Sequence, residues 1–289
     1  MAQPWLNLGF LRGGDGYKTG VYILDSVKLT GEKKSPFELE HGMMAWEWLK
    51  TPESALARDS LNRTMVGFEG VTHGALIYDH DWEKHGQEVT IVDVGGGVGG
   101  ASIELTRRFP KIKIILQDQP HVIEAAPKVR NVSTHHPFEV YAYSRAHCFA
   151  HTRVSGGETQ FWEESAPECK SRVTFMSHDF FGPQIQEKIF FMRFILHDWV
   201  DDNCLRILKP IRNAIPSEAK GGRLYIAETI LDETSERLRY MLDMHMFTVH
   251  GSMERTEVEL DSLLKKAGFE ILKIHKNRGF CVLIEAAAA

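Results

Sequence analysis

Residues 89–100 read Val-Thr-Ile-Val-Asp-Val-Gly-Gly-Gly-Val-Gly-Gly, an apolar run that leads directly into a glycine-rich loop. The run predicts a short buried strand, Val89–Val94, because nearly all of its side chains are apolar. The glycines let the backbone turn without clashes of β-carbons, and a helix is predicted to begin near Gly99. A strand, a glycine turn and a helix in this order expose backbone N–H groups to a ligand, as in nucleotide-binding folds.

Asp93, two residues before the first glycine, narrows the choice of ligand for this loop. Gly95, Gly97 and Gly100 fit the pattern G-x-G-x-x-G, which does not separate a dinucleotide from S-adenosylmethionine. A carboxylate at position 93 would repel a pyrophosphate, whereas it suits a cationic amino-acid end. The interpretation that we favour is therefore an S-adenosylmethionine site that includes Asp93, Gly95 and Gly97.

Apolar strands and helices alternate through the rest of the chain. The predicted strands are Val89–Val94, Ile112–Leu116, Arg172–Ser177, Ile189–Leu196, Leu224–Ala227, Phe269–Ile274 and Gly279–Glu285, and the main predicted helices are Gly99–Arg108, Asp201–Ala214, Leu238–Val249 and Thr256–Ala267. This alternation is typical of an α/β fold with a doubly wound, mostly parallel, Rossmann-like sheet. About four residues join the last two strands, too few for a parallel crossover, so these strands are predicted to pair antiparallel.

The chain divides into two predicted regions. Residues 1–88 predict a partial N-terminal helical, winged-helix-like and linker region, and residues 89–289 predict the main domain. Within the first region, Val21–Leu24 is a β-like run and residues 36–80 show helical spacing of apolar side chains.

An irregular insert, residues 129–156, interrupts the main domain. It shows neither helical nor strand periodicity, and a structureless stretch of this length is unusual inside an α/β unit. We interpret it as a genuine surface loop or as translated intron sequence. The flanking segments Val122–Lys128 and Glu158–Glu164 are both helix-compatible, so removal of the insert is predicted to join them into one amphipathic helix.

Composition and charge exclude several classes of protein. A formal net charge of -5 gives no basic field for nucleic acid or an anionic membrane. No apolar run reaches the ~18–20 residues of a spanning helix, and the first residues lack the pattern of a signal peptide. The cysteines, without metal or disulfide spacing, are Cys148, Cys169, Cys204 and Cys281. We therefore expect a cytoplasmic protein with reduced thiols, no metal site, and no nucleic-acid or membrane partner.

A histidine and two glutamates form the candidate catalytic set. His197 and Glu228 are both predicted to end strands, so they lie at the carboxyl edge of the sheet, where open α/β folds bind ligands. Glu254 lies just before the last predicted helix. A histidine beside carboxylates at this edge is typical of a general base. Its neighbour Asp198 is interpreted as a cap for the helix that begins near Asp201.

Polar residues at other strand ends predict contacts with a nucleoside. Asp118 follows the second strand, where a carboxylate can accept two hydrogen bonds from a ribose. Asp179 follows the third strand and is positioned to accept a hydrogen bond from the exocyclic amine of adenine. Phe180 is positioned to cover the adenine ring, whereas Phe181 is assigned to the core.

These segments together resemble the motifs of the S-adenosylmethionine-dependent O-methyltransferases of the caffeic-acid type, particularly their fungal members. The segments that carry the resemblance are Val92–Gly99, Asp118–Ile123, His178–Phe180, Met192–Trp199, Ala227–Glu228 and Glu254–Thr256. Several motifs in the same order make the resemblance specific, and it extends from about Val89 to Glu285.

The resemblance implies transfer of the methyl group of S-adenosylmethionine to a phenolic or other aromatic hydroxyl of a small molecule, without a metal. His197 then removes the phenol proton, and Glu228 and Glu254 orient its imidazole. The cofactor-binding residues are then Asp93, Gly95, Gly97, Asp118, Asp179, Phe180, Arg193 and Trp199. Arg193 stands where the family usually carries lysine, and its planar guanidinium is not equivalent to an ammonium group.

The resemblance also implies a homodimer, which the family builds from a longer N-terminal region than the 88 residues that precede the first motif here. Two alternatives stand beside an active methyltransferase. One is a truncated, insert-bearing protein without activity. The other is a nucleotide-dependent oxidoreductase, which rests on the glycine loop alone and leaves His197, Glu228 and Glu254 unexplained.

Overall fold

The computed structural model describes residues 18–28, 34–58, 61, 76–86, 88–126, 130–132, 158–160, 167–276 and 279–289. The strands are β1 (Val89–Val94), β2 (Ile112–Asp118), β3 (Arg130–Val132), β4 (Glu158–Gln160), β5 (Val173–Ser177), β6 (Ile189–Arg193), β7 (Arg223–Glu228), β8 (Ile230–Leu231), β9 (Arg255–Thr256), β10 (Phe269–His275) and β11 (Val282–Ala288). The α-helices are α1 (Ile23–Lys28), α2 (Pro36–His41), α3 (Ala45–Trp48), α4 (Gly100–Arg108), α5 (Pro120–Ala125), α6 (Pro167–Lys170), α7 (Asp201–Ala214), α8 (Arg237–His250) and α9 (Glu257–Lys266).

Seven of these strands form one twisted sheet in the order β10-β11-β7-β6-β1-β2-β5. The five strands from β7 to β5 are parallel, whereas β11 runs antiparallel to both β7 and β10. The predicted α/β fold, a doubly wound and mostly parallel sheet with an antiparallel last strand, is therefore confirmed.

Helices cover both faces of the sheet, so its central strands are apolar on both sides. On one face, Ile91, Phe191 and Tyr225 pack in a core that includes Trp82. On the other face, a second core lies beneath α7 and α9. Among the residues described, no helix is both long enough and apolar enough to cross a membrane.

Helix α9 begins with the capping box that its sequence predicts. The Thr256 hydroxyl accepts a hydrogen bond from the Glu259 backbone N–H, and the Glu259 carboxylate accepts from the Thr256 N–H. Helix α7 runs from Asp201 to Ala214 with Pro210 inside it. These two helices pack on the face of the sheet that supports the carboxyl ends of β6 and β7.

The N-terminal region differs from its prediction in one place. Val21–Leu24 is not a strand, because a 3-10 turn, Thr19–Tyr22, continues directly into α1. The predicted helical character of residues 36–80 is confirmed where the structure describes them, in α2, α3 and short turns, while residues 62–75 lie outside the described part. Helix α2 packs against α8, and the Ser35 hydroxyl donates to the Val249 carbonyl at 3.3 Å.

The flanks of the predicted insert are paired with each other. Strand β3 is antiparallel to β4, with Val132 opposite Glu158. In the full chain the two flanks do not form one helix, since α5 ends at Ala125 and residues 158–160 are extended. The single helix predicted for a chain without the insert stays a prediction. Residues 133–157 lie outside the described part of the chain, and the hairpin brings the two ends of this connection together.

Candidate active site

The predicted site residues converge on the carboxyl edge of the parallel strands. Glu228 is the last residue of β7, as predicted. His197 does not end a strand, because β6 stops at Arg193 and His197 lies in a 3-10 turn, Leu196–Asp198. The prediction that His197 ends its strand is therefore wrong by four residues, although the histidine still lies at the predicted edge.

The chain reaches this turn through Phe194, which has a backbone φ of 53°. A bulky residue in the left-handed region is unusual and is retained only where surrounding contacts enforce it. Its N–H donates to the Ala227 carbonyl at 3.1 Å, and its ring stacks on the His197 imidazole at 5.3 Å between centroids. The strained turn therefore directs the chain out of the sheet and supports one face of the imidazole.

Two glutamates hold the Nδ1 side of His197. Nδ1 lies 2.7 Å from Glu254 Oε1 and 3.8 Å from Glu228 Oε2. Glu228 Oε1 accepts the backbone N–H groups of Ile195 and Leu196 at 3.1 and 2.8 Å, so this carboxylate also fixes the turn that carries the histidine. Parallel pairing of β8 with β9 brings Glu254 beside Glu228. The predicted set of His197, Glu228 and Glu254 is thus assembled in one buried place.

The Nε2 side of His197 faces a third carboxylate, that of Asp198. The prediction that Asp198 caps the following helix is wrong. Val200 is the N-cap residue of α7 and no side chain caps that helix, so Asp198 is not its cap. Instead, Asp198 Oδ1 lies 3.5 Å from Nε2 of His197 and 3.5 Å from Nε2 of His250. The His250 ring stacks on Trp46 at 5.1 Å, so the N-terminal region contributes a wall to the site.

The surrounding carboxylates control the charge of the site. Burial opposes a charged imidazole, but the negative charges of Glu228, Asp198 and Glu254 outweigh burial and raise the pKa of His197 to about 10. Burial raises the pKa of Asp198 to about 7 and also raises the pKa of Glu228, and in each case the positive charge of His197 opposes the shift. The resting site is therefore an imidazolium within a surplus of acidic groups.

An arginine that sequence reasoning left without a role fixes the loop between β6 and α7. Arg255 Nη1 donates to the Leu196 carbonyl at 2.9 Å, and its Nη2 donates to the Trp199 carbonyl at 2.8 Å and to Asp201 Oδ1 at 2.9 Å. Arg255 is buried and directly follows Glu254. Arg255 was visible in the sequence as part of the segment Glu-Arg-Thr. Its role could not be predicted, because the carbonyl groups that it binds are more than fifty residues away in the chain.

The same three residues, His197, Glu228 and Glu254, have potential metal-ligand atoms within 4.8 Å of one another. Their present contacts favour a hydrogen-bonded network. The imidazole Nδ1 is bonded directly to Glu254, and one Glu228 oxygen is occupied by two backbone N–H groups. A metal would need about 2.0–2.2 Å to each ligand in place of these bonds. The absence of a metal from the reaction remains a prediction.

The glycine loop lies at the same edge and forms an open cradle. Gly95 and Gly97 both have positive φ, 69° and 60°. A β-carbon at Gly97 would meet no atom of the described residues within 4 Å, so as far as these residues go the space above Gly97 is open to a ligand. Gly96 was not singled out from the sequence, yet a β-carbon there would lie 2.2 Å from a side-chain carbon of Leu116. Close packing, which the motif cannot reveal, therefore also requires a glycine at position 96.

Two acidic residues border the loop in different ways. Asp118 ends β2, and its carboxylate accepts the N–H groups of Gly97 at 2.9 Å and Gln119 at 2.7 Å. Burial raises the pKa of Asp118 against these two hydrogen bonds. Asp93 is 2% exposed and accepts the Ser102 hydroxyl at 2.6 Å, and burial raises its pKa to about 6. Asp93 therefore ties the loop to α4 from beneath, whereas Asp118 borders it at the sheet edge.

An aromatic group continues this edge beyond β5. Phe180, Phe181 and Trp199 contact one another edge to face, with interplanar angles of 65–89° and centroid separations of 5.0–6.1 Å. All three pack against the second core. Asp179 is exposed and accepts the Phe181 N–H at 3.0 Å. The Arg193 guanidinium lies over the Phe194 ring at 5.3 Å. The predicted cofactor residues thus lie at the carboxyl ends of β1, β2, β5 and β6 and in the segments that follow them.

Comparison with known proteins identifies one family. The O-methyltransferase domain matches residues 21–145 and 154–270 of this chain, so only residues 146–153 are unmatched within the predicted insert. O-methyltransferase tpcA of Aspergillus fumigatus is 30% identical over 246 residues, which are 77% of this chain and 44% of tpcA. (RS)-norcoclaurine 6-O-methyltransferase of Coptis japonica is 30% identical over 92% of this chain and 64% of the plant protein. The chain thus spans less than two thirds of the length of these relatives.

Solved structures agree with the fold. The crystal structure of LaPhzM matches with a TM-score of 0.75 and 26% identity, and the match covers 98% of this chain and 72% of LaPhzM. Human N-acetylserotonin methyltransferase matches with a TM-score of 0.72 at 21% identity, over 98% of this chain and 70% of the human chain. At this identity, the match to the human protein shows a shared fold only.

Proposed function

The chain belongs to the O-methyltransferase domain family, and we propose that it transfers the methyl group of S-adenosylmethionine to a phenolic or other aromatic hydroxyl of a small molecule, with His197 as the general base. The observation that carries this proposal is the asymmetric environment of the imidazole. Nδ1 is bonded to Glu254 at 2.7 Å, whereas the Asp198 carboxylate lies 3.5 Å from Nε2, beyond the length of a strong hydrogen bond, so Nε2 is the nitrogen that would accept the proton of the acceptor hydroxyl.

The rim of the sheet fits a nucleoside with a charged amino-acid end. The open space above Gly97 admits a ligand next to backbone N–H groups, and the half-buried Asp118 carboxylate lies beside it, where a ribose would donate hydrogen bonds. Asp179 and Phe180 would bind the adenine, and the negative charge of Asp93 beneath the loop would favour a cationic group above it. When bound, S-adenosylmethionine supplies an electrophilic methyl group on a cationic sulfur.

The pKa of His197 is close to that of a phenol, the group from which it would remove a proton. A phenol has a pKa near ~10, so it transfers a proton almost without cost to a base whose pKa is about 10. Glu228 and Glu254 stabilise the imidazolium that results, as a carboxylate does in other acid–base sites. Because such a base carries its own proton at neutral pH, only the deprotonated fraction of the protein can act, and the rate should rise with pH.

The relatives support an oxygen acceptor. Their names include norcoclaurine 6-O-methyltransferase and desmethylxanthohumol 6'-O-methyltransferase, both at 30% identity to this chain. The family match favours methyl transfer over the nucleotide-dependent oxidoreductase that the glycine loop alone allowed. A small aromatic acceptor, a homodimer and a reaction without metal belong to the same proposal.

The test is an assay of the chain with labelled S-adenosylmethionine and a panel of simple and substituted phenols. Transfer of label to at least one phenol, unaffected by a chelator, is the expected result. Calorimetry with S-adenosylmethionine accompanies the assay. Binding of S-adenosylmethionine without transfer to any acceptor would contradict the proposal and favour the alternative of an inactive, methyltransferase-like protein.

A further inference from the structure

A small cavity is buried beside the candidate base. Its volume is about 10 Å³, the room that the centre of one water molecule needs. His197, Glu228, Thr229, Glu254 and Leu260 are among the residues that line it. Thr229 follows β7 directly, is 2% exposed, and has no role in the site described above.

Three polar atoms of these lining residues are buried and have no hydrogen-bond partner among the described residues. They are Glu228 Oε2, Thr229 Oγ1 and Glu254 Oε2. The other oxygen of each glutamate is occupied, in Glu228 by two backbone N–H groups and in Glu254 by the His197 imidazole. Buried polar atoms without partners destabilise a protein, and native structures pair nearly all of them with protein or ordered water.

We propose that this cavity binds one water molecule, which donates hydrogen bonds to Glu228 Oε2 and Glu254 Oε2 and accepts one from the Thr229 hydroxyl. Thr229 is thereby a positioning residue for His197, and this second statement rests on the proposed function, whereas the water site does not. The count of hydrogen bonds balances, because a water has two donors and a hydroxyl supplies the third bond. Buried waters typically make about three such bonds.

Other ways to satisfy the three atoms fit less well. Arg255 also lines the cavity, but its guanidinium donates to the carbonyls of Leu196 and Trp199 and to Asp201. A metal ion would have to displace the hydrogen bond between His197 and Glu254. A neutral water requires no such rearrangement, and it separates two acidic groups while it donates to both.

The water matters because two carboxylates of like charge share one buried place. Hydrogen bonds donated to a carboxylate favour its charged form. Loss of the Thr229 hydroxyl would weaken the hold on the water, so Glu228, whose pKa burial already raises, would bind a proton more readily. Less negative charge would then face His197, and the pKa of the imidazole would fall.

The test compares Thr229→Val, which keeps the branched shape and removes the hydroxyl, with Thr229→Ser, which keeps the hydroxyl. High-resolution crystal structures of the full chain should contain a water within about 2.7–3.2 Å of all three atoms in wild type and in the serine variant. In the valine variant this water should be absent or should keep only the two glutamate contacts. NMR titration of the His197 ring should show a pKa lower by about one unit in the valine variant and close to wild type in the serine variant.

Several outcomes would overturn the proposal. A wild-type structure in which the two glutamate oxygens share a proton directly, or in which anomalous scattering identifies a metal in the cavity, would remove the water. An unchanged His197 titration in a folded Thr229→Val variant would remove the positioning role. If wild type methylates no phenol but shows the water and the titration shift, the proposed function fails while the water site stands. The wild-type structure decides the question even if the valine variant does not fold.

Discussion

Two clusters of ionisable side chains, each built around buried carboxylates, have opposite charge balance in this protein. The first, the edge cluster, consists of His197, Asp198, Glu228 and Glu254, where one imidazole faces three acids. The second, the Glu285 cluster, consists of Glu285, Lys84, Arg223, His275 and Tyr225, where one acid faces several basic groups. Glu285 accepts from Lys84 at 2.8 Å, His275 at 3.1 Å and Arg223 at 3.2 Å.

The comparison shows that neighbouring charges and hydrogen bonds can reverse the direction in which burial alone would shift a pKa, as they do for His197 and Glu285. Burial opposes a charged Glu285, yet hydrogen bonds from Lys84 and His275 lower its pKa to about 2. In the edge cluster the acidic surplus raises the pKa of His197 to about 10 and burial raises that of Asp198 to about 7. The Glu285 carboxylate has several hydrogen-bond donors around it, whereas the edge cluster holds an acidic surplus around the imidazole that the proposed function uses as its base.

The largest effect is expected from His197→Gln. Loss of the general base should lower turnover by roughly 10²–10⁴-fold and leave S-adenosylmethionine affinity unchanged. Higher pH should partly rescue the variant, because solvent then ionises the phenol. The matched control is His275→Gln in the Glu285 cluster, which should keep nearly wild-type turnover. Equal turnover in the two variants would remove the distinction between the clusters.

The pH dependence of kcat/KM should be the next largest effect. If His197 must be deprotonated, the rate should increase about tenfold per pH unit from neutrality toward a pKa of about 10. The other ionisable groups that interact with the His197 imidazole are Asp198, Glu228, Glu254, His245 and His250. Glu254→Gln removes one of the acids that raise this pKa, so its profile should level off at lower pH. A flat wild-type profile between pH 7 and 9 would contradict a base with a raised pKa.

Asp118 lies at the same edge of the sheet but outside both clusters, so a substitution there tests cofactor binding separately from proton transfer. Asp118→Ala should weaken S-adenosylmethionine and S-adenosylhomocysteine equally, because both contain the ribose. Each lost charge-assisted hydrogen bond should cost on the order of 1.5–3 kcal/mol of binding free energy in calorimetry. Glu285→Gln should leave both affinities unchanged. Wild-type affinity in Asp118→Ala would assign Asp118 to the turn alone.

Stability should respond to pH in opposite directions at the two clusters. Glu285→Gln should lower the free energy of unfolding by about 1–3 kcal/mol at neutral pH, after allowance for the partly exposed Lys84. The folded pKa of Glu285 is depressed, so its contribution is present above about 4.5 and is lost as pH falls toward about 2. Buried His80, with a pKa lowered to about 4, adds to this acid limb, because it must charge on acidification.

On the alkaline side the edge cluster should control stability. The folded pKa of His197 is raised, so its contribution is complete below about 6.5 and is lost as pH rises through about 10. Asp198 acts in the same sense between about 3.8 and 7. Denaturant unfolding across pH should therefore show an acid limb that Glu285→Gln reduces and an alkaline limb that His197→Gln reduces. The comparison would be refuted if His197→Gln changed the loss of stability at acid pH and Glu285→Gln changed the loss at alkaline pH.

The smallest effect is expected from a segment that the family does not share. Deletion of residues 146–153 shortens the connection between β3 and β4 by about a third. Loop-closure entropy changes slowly with length, so the free energy of unfolding should change by less than about 0.6 kcal/mol. Methyl transfer should persist. A deletion variant that does not fold, or that loses a transfer activity present in the full chain, would make this segment structural or part of the acceptor site.

The regular parts of the fold could be predicted because local patterns carry them. The strand β1, the glycine loop and the capping box of α9 each depend on residues that are close in sequence. The errors fall where distant contacts compete with a local pattern. Val21–Leu24 has apolar residues typical of a strand but is helical beside α2, and residues 158–160 look helical but pair with β3.

The amino-acid sequence by itself determined the alternation of strands and helices, the antiparallel end of the sheet, and the identity of His197, Glu228 and Glu254 as candidates. Only the tertiary structure decided how these groups act together. Pairing of β8 with β9 joins Glu254 to a histidine that is 57 residues away, and Asp198 turns from its neighbouring helix toward His250. Charge balance and buried hydrogen bonds depend on distances in space, and a linear pattern does not contain those distances.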